Sequence, residues 1–216
     1  IAPHPSVTIG RAIGPDHPPW VVAELSANHL GDKARALAII DAAAGAGCDA
    51  IKLQSFTPAT MTLDATGPGF QIDGGPWAGR NLWDLYDEAH TPWAWHAELF
   101  AHARARGLVA FSTPFDVDAV ARLEELGAPA YKIASFEAGD LELFAAAAAT
   151  GKPVILSTGM ASDAEVAEAV ATARGAGCRD LIILHCVSGY PAPPEQMNLR
   201  RLDALAAHAL VGISDH

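Results

Sequence analysis

Lysines, hydroxyls and carboxylates recur at one kind of place in this sequence, just after an apolar run. Glu24-Leu25-Ser26-Ala27-Asn28-His29, Lys52-Leu53-Gln54-Ser55, Ser112-Thr113-Pro114-Phe115 and Lys132-Ile133-Ala134-Ser135-Phe136-Glu137 are four such clusters. Ser157-Thr158-Gly159, His185-Cys186-Val187-Ser188-Gly189-Tyr190 and Ser214-Asp215-His216 follow the same rule. Side chains alternate along a strand, so Lys52 and Gln54 share one face and Leu53 takes the other. If that face lines a barrel, Lys52 emerges beside Lys132, two strands along. With the Thr113, Ser135 and Ser157 hydroxyls the pair would make an anion site suited to phosphate or carboxylate. Two lysines snorkelling to a rim, or pairing with Glu24 and Glu137, are the competing reading. Hydroxyls on the neighbouring strands favour the site, because parallel βα folds gather their chemistry at the C-terminal strand ends.

The histidines divide by context. His29 and His216 each follow a strand in a polar cluster, and His216, next to Asp215, could give a neutral imidazole nitrogen to a divalent metal. One histidine does not make a metal site. His90 and His96 flank Trp93-Ala94-Trp95, where packing against indoles is as good a reading as function.

The elements that must position these residues form a βα repeat. Apolar, β-branched runs predict strands over Val21–Leu25, Ala50–Leu53, Leu108–Phe111, Ala130–Ala134, Val154–Leu156, Leu181–Leu184 and Leu210–Ile213. Helical spacing predicts helices over Ala34–Ala46, Trp93–Arg106, Val117–Leu126, Leu141–Ala149 and Ala164–Ala176. Gly47, Gly107, Gly127, Gly151 and Gly177 stand just past helix ends, where a left-handed residue turns the chain toward the next strand. Such units require a parallel sheet with right-handed crossovers. The expected fold class is therefore α/β, a (β/α)8 TIM-type barrel truncated after strand seven. Its single barrel domain is expected over residues 1–216, because a complete barrel needs about 250 residues. The segment from Ser55 to Thr91, with its Pro and Gly clusters, is expected to be irregular with a small hairpin; Tyr190-Pro191-Ala192-Pro193-Pro194 is expected to be stiff and helix-incompatible, and both to border the barrel mouth.

Composition narrows the partners. A formal charge of −11 argues against nucleic acid and against an anionic membrane surface. No run of about 18 apolar residues is present and the start has no signal-peptide pattern, so a cytoplasmic protein is the expectation. Cys48, Cys178 and Cys186 lack the spacing of a zinc site or a disulfide framework and read as buried thiols.

The motifs together resemble the sialic acid synthase family, in order and spacing and over nearly the whole chain. They are Ala23-Glu24-Leu25-Ser26-Ala27-Asn28-His29, Lys52-Leu53-Gln54, Phe111-Ser112-Thr113-Pro114-Phe115-Asp116, Tyr131-Lys132-Ile133-Ala134-Ser135, Leu156-Ser157-Thr158-Gly159-Met160, Tyr190-Pro191-Ala192-Pro193 and Gly212-Ile213-Ser214-Asp215-His216. Leu25-Ser26, Leu53, Thr57-Pro58-Ala59-Thr60-Met61-Thr62 and Leu85-Tyr86-Asp87-Glu88-Ala89-His90-Thr91-Pro92-Trp93 are most similar to the pseudaminic acid branch of that family.

The resemblance implies a transferase of carbohydrate biosynthesis. It would condense phosphoenolpyruvate with a 2,4-diacetamido-2,4,6-trideoxyhexose aldehyde and release phosphate by C–O cleavage. Carried over position by position, Lys52, Thr113, Lys132, Ser135, Ser157, Ser188 and Ser214 would hold phosphoenolpyruvate. Tyr190 would border the pocket, Gln54 would support Lys52, and Asn28 would serve substrate binding. Glu24 and Glu137 would be the carboxylates near the reacting sugar. His216 corresponds to one of two histidines that hold a divalent metal, usually manganese, with magnesium or cobalt as alternatives. The family is a homodimer whose C-terminal domain, resembling antifreeze proteins, reaches the partner's site. Strand eight, that domain and the second metal histidine are not in this sequence, so the chain alone is expected to be poorly active. Ser188 stands where some members have Asn, and Leu30 replaces the usual Asn of Asn-His-Asn-Gly. An N-acetylneuraminate or legionaminate synthase, a non-catalytic anion-binding fragment and a generic phosphate-binding barrel remain open alternatives.

Overall fold

A computed structural model of the chain describes residues 6–216. It begins with a hairpin of β1 (Val7–Ile9) and β2 (Arg11–Ile13). There follow β3 (Val22–Glu24), α1 (Lys33–Gly45), β4 (Ala50–Ser55), α2 (Pro58–Met61), α3 (Leu82–Ala89), α4 (Trp93–Ala105), β5 (Val109–Pro114) and α5 (Val117–Glu125). The remainder is β6 (Tyr131–Ile133), α6 (Leu141–Ala149), β7 (Val154–Ser157), α7 (Asp163–Gly175), β8 (Leu181–Cys186), α8 (Arg201–Leu205) and β9 (Leu210–Ser214). Two compact units result, one spanning Val21–Leu126, the other joining the hairpin to Gly127–His216.

In the Val21–Leu126 unit, β3, β4 and β5 are parallel neighbours in chain order. Their register sets Glu24 opposite Lys52 and Gln54 opposite Thr113. In the other unit β6 to β9 are likewise parallel and sequential, with Lys132 opposite Ile155, Leu156 opposite Ile183 and Cys186 opposite Ser214. The seven parallel strands with their covering helices are the βα barrel-type architecture expected. Strands covered on both faces read as apolar runs rather than alternating: Val154, Ile155 and Leu156 of β7 are all buried, and so is Ser157 at its polar end. Ile51 and Leu53 of β4, Ile40 of α1 and Leu99 of α4 are fully buried.

Local signals place the helices. Asp32, Asp116 and Asp140 accept hydrogen bonds from Ala34, Ala119 and Leu143 N–H at 2.8, 2.7 and 3.0 Å, capping α1, α5 and α6. Ser162 and Glu165 close a reciprocal capping box at the start of α7. The five glycines expected to end helices all take positive φ, +80° at Gly107 for example, a conformation in which any side chain is strained.

The structure departs from expectation in several places: Cys48, expected to be buried like Cys178 and Cys186, is only half-buried, and α8 was not foreseen. Residues 55–91 are more regular than their Pro and Gly content implied, carrying α2, a 3₁₀ turn at Gly75–Trp77, and α3, with Arg80 ion-paired to Glu88 at 2.6 Å. The β1–β2 hairpin was not foreseen, because three-residue strands are too short to show a period, though Val7 and Ile9 are buried. Asp116 is the cap that starts α5 immediately after the polar end of β5. Asp116→Ala is expected to lower unfolding free energy by about 1 kcal/mol in urea titration; an unchanged midpoint and slope would show that the cap contributes nothing.

Candidate active site

The strand ends of the Val21–Leu126 unit converge on Lys52. Its ammonium forms an ion pair with Glu24 Oε2 and donates to Thr113 Oγ1 at 3.3 Å. Lys52 is almost wholly buried while the Glu24 side chain is 41% exposed, so the cation is held inside and its partner lies nearer the surface. Glu24 Oε1 accepts from Ser26 N–H at 3.0 Å, and the Ser26 hydroxyl donates to Gln54 Oε1 at 3.3 Å. Ser26 makes both contacts by adopting φ +45°, sparsely populated for a residue with a Cβ and costing on the order of 1 kcal/mol. Sequence reasoning passed over Ser26; its place two residues after a strand-end carboxylate was the available signal. Asn28 spends its amide nitrogen locally, donating to Leu25 C=O at 3.1 Å.

Behind this cluster lies a second polar group that the sequence did not reveal. Ser55 Oγ lies 2.8 Å from His96 Nε2 and 2.6 Å from Ser112 Oγ, and all three side chains are fully buried. His96 Nδ1 lies 3.2 Å from Pro92 C=O, which can only accept, so Nδ1 carries the proton and Nε2 accepts from Ser55. Burial pushes the His96 pKa down to about 4, keeping the ring neutral. His29 is also buried, edge-on to Trp95, with Nδ1 accepting from Gly31 N–H at 3.0 Å and Nε2 3.3 Å from Thr91. Burial lowers its pKa too, and its position is that of a packed histidine.

The strand ends of the second unit gather the remaining residues. Ser135 Oγ accepts from Gly159 N–H at 3.0 Å and lies 3.0 Å from Cys186 Sγ. Gly159 is pressed against Ser188, so that a Cβ there would fall 2.6 Å from Ser188 Oγ. Ser157 Oγ is buried with no hydrogen-bond partner, as is Glu137 Oε2. Burial raises the Glu137 pKa, against the lowering effect of the Lys132 ammonium. Lys132 itself is buried. Thr158, by contrast, turns its hydroxyl onto Leu184 C=O at 3.1 Å.

His216 packs against Tyr190 with ring centroids 4.4 Å apart and the planes tilted by 34°. Its Nδ1 donates to Val187 C=O at 2.9 Å, which leaves Nε2 as the free-pair nitrogen, 3.3 Å from Ser214 Oγ. A backbone carbonyl fixing the far nitrogen is the usual setting of a metal-binding imidazole. Catalytic zinc-type sites, however, take three protein donors. Among the described residues no group of three or more His, Cys, Asp or Glu side chains gathers for a metal, so the donors present do not by themselves fit one. No helix among the described residues is long and apolar enough to cross a membrane.

Residues 39–216 match the NeuB family. The chain belongs to the NeuB family. Two relatives give the scale of the similarity. It is 45% identical over 201 residues to the pseudaminic acid synthase of Helicobacter pylori, spanning 92% of this chain and 59% of that protein. It is 35% identical over 201 residues to the N,N'-diacetyllegionaminic acid synthase of Campylobacter jejuni, spanning 91% of this chain and 60% of that protein. This NeuB-family chain thus covers about three fifths of the length of both. In structure it is similar to the N-acetylneuraminic acid synthetase of Leptospira borgpetersenii in complex with citrate. The TM-score is 0.86 at 32% identity, over 98% of this chain and 70% of that one.

Two outcomes test the second cluster of this NeuB-family chain. Because the folded Glu137 pKa is raised, the group stabilises the fold at low pH, and that contribution is lost as pH rises from the ordinary 4.5 through the folded value. Glu137→Gln is therefore expected to gain stability over the parent at pH 8 but not at pH 4; an equal effect at both would reject the assignment. Gly159→Ala must push a Cβ against Ser188 Oγ, Cys186 Sγ and Cys186 C=O, and should cost about 1–3 kcal/mol in thermal unfolding.

Proposed function

We propose that the protein is a synthase condensing phosphoenolpyruvate with a 2,4-diacetamido-2,4,6-trideoxyhexose to give pseudaminic acid and phosphate. The observation that carries the acceptor is the identity gradient, 45% to a pseudaminic acid synthase against 35% to a legionaminic acid one. The strand-end chemistry supports the donor. Phosphoenolpyruvate carries a phosphate and a carboxylate, and both clusters contain what binds such groups. Lys52 and Thr113 offer an ammonium beside a hydroxyl. Lys132 brings a second buried ammonium, and Ser157 a hydroxyl without a partner. Ser135, Ser188 and Ser214 are assigned to the same ligand, with Tyr190 at its border, Gln54 supporting Lys52 and Asn28 serving substrate binding.

Carbon 3 of phosphoenolpyruvate attacks the aldehyde carbon, carbon 2 gains oxocarbenium character, and water adds there. The tetrahedral intermediate then expels phosphate by C–O cleavage. Fixed ammonium groups compensate the anionic charges throughout, an electrostatic contribution that needs no rearrangement during reaction. Glu24, exposed on one side and anchored to Lys52 on the other, is assigned to the water or the sugar hydroxyls, and Glu137 to proton transfer. His216 would offer Nε2 to a divalent ion such as manganese, as one donor of a set that the described residues do not complete. A homodimer acting in the cytoplasm completes the reading.

The purified protein, given phosphoenolpyruvate and manganese, should release phosphate with 2,4-diacetamido-2,4,6-trideoxyaltrose. Release with N-acetylmannosamine instead would move it to the neuraminate branch. Lys52→Met should lower turnover by about a hundredfold or more; near-parental turnover would remove Lys52 from the donor site.

A further inference from the structure

The buried Ser55–His96–Ser112 group does no chemistry in the reaction above, yet it sits directly behind residues assigned to phosphoenolpyruvate. On β4, Lys52 and Gln54 share one face, and Ser55 lies on the other. On β5, Thr113 faces with Lys52, while Ser112 turns the opposite way to meet Ser55 Oγ at 2.6 Å. Gln54 and Thr113 are register partners, so Ser55 and Ser112 tie together the backs of the two strand ends whose fronts carry Gln54 and Thr113.

That tie is anchored from outside. His96, in the first turn of α4, accepts from Ser55 while its other nitrogen is fixed on Pro92 C=O. The ring stacks on Trp93 at 4.4 Å with the planes 25° apart, and Arg122 of α5 lies over Trp93 at 5.1 Å. Two helices thus hold one imidazole, and the imidazole holds two strand ends. The contact that depends on it has little slack. Lys52 Nζ to Thr113 Oγ1 is 3.3 Å, at the long edge of hydrogen bonding, so a shift of a few tenths of an ångström breaks it.

We infer that His96 is a positioning residue for anion binding, setting through Ser55 and Ser112 the approach of Thr113 to the Lys52 ammonium. The inference rests on the assignment of Lys52 and Thr113 to phosphoenolpyruvate. In the neutral tautomer described, the chain runs from Ser112 O–H to Ser55 Oγ, from Ser55 O–H to His96 Nε2, and from His96 Nδ1–H to Pro92 C=O. Glutamine at this position can present its carbonyl oxygen to Ser55 and keep the chain, whereas leucine ends it.

The test is calorimetric titration of phosphoenolpyruvate into the purified protein and its variants, well below every Tm. His96→Leu should weaken binding on the order of tenfold, as outer partners that orient binding groups do. His96→Gln should restore most of that loss. Ser112→Ala, a smaller change to the same chain, should weaken binding in the same direction and serves if His96→Leu does not fold. Asp116→Ala lowers stability without touching the chain and should bind as the parent does. Parental affinity in His96→Leu and Ser112→Ala overturns the inference and leaves the proposed function standing. An equal loss in Asp116→Ala also overturns it, because general loosening would then suffice. A parent that does not bind, or a Lys52→Met variant that binds as well as the parent, removes the donor assignment and the inference with it.

Discussion

A lysine ammonium cannot be withdrawn from water without a replacement for its solvation, and at Lys52 that requirement organises the end of three strands. The Glu24 carboxylate supplies the counter-charge and Thr113 a lone pair, one from the strand on each side. Both come into reach only because β3, β4 and β5 run parallel in the register that sets Glu24 opposite Lys52 and Gln54 opposite Thr113. A slip of one residue in any of the three would turn the whole set away from one another. The ion pair therefore reports the register as much as it stabilises the site. The pair is asymmetric: the Glu24 side chain keeps exposed surface while Lys52 keeps almost none, so the carboxylate is fixed from behind by a buried cation.

The second unit meets the same requirement differently. There the buried polar groups are not all matched within the chain: Ser157 Oγ and Glu137 Oε2 have no hydrogen-bond partner among the described residues. A buried hydroxyl without a partner costs roughly 1–3 kcal/mol, and folds keep such groups where a bound molecule or ordered water completes them. Glu137 reduces its own cost by holding its proton more tightly than an ordinary carboxylate, burial outweighing the pull of Lys132. One cluster is thus closed by an internal ion pair, while in the other two buried polar atoms keep hydrogen-bonding capacity to spare.

Much of this was legible in the sequence, for identifiable reasons. The strand ends carried Lys52, Thr113, Lys132, Ser135 and Ser157 because parity along a strand is strict, and the helices ended at Gly47, Gly107, Gly127, Gly151 and Gly177 because few other residues accept positive φ. What escaped depends on separations that parity does not encode. Ser55, His96 and Ser112 meet across 41 and 57 residues of sequence, and the only local trace was two serines on the apolar faces of their strands. The same parity that marked Lys52 as inward-facing marks Ser55 and Ser112 as misplaced polar residues on the opposite, covered face, so the signal existed but needed a partner to interpret it. His29 shows the converse: a histidine set apart by its polar strand-end context, yet it packs edge-on to Trp95 and hydrogen-bonds within the turn it helps to form.

His216 joins these arguments. Its imidazole is constrained on three sides, by Val187 C=O at Nδ1, by the Tyr190 ring and by Ser214 near Nε2. A surface histidine serving only solubility has no need of a fixed tautomer, and ordering a side chain costs conformational entropy. Holding the ring with Nδ1 protonated presents a neutral lone pair at Nε2, the form that accepts a proton or a metal and not the form that donates. The same logic fixes His96, whose lone pair is consumed inside the fold by Ser55. Two histidines are thus held in the same tautomer by backbone carbonyls. One spends its free nitrogen on structure, and the other keeps it beside the polar end of β9, with only a long contact to Ser214.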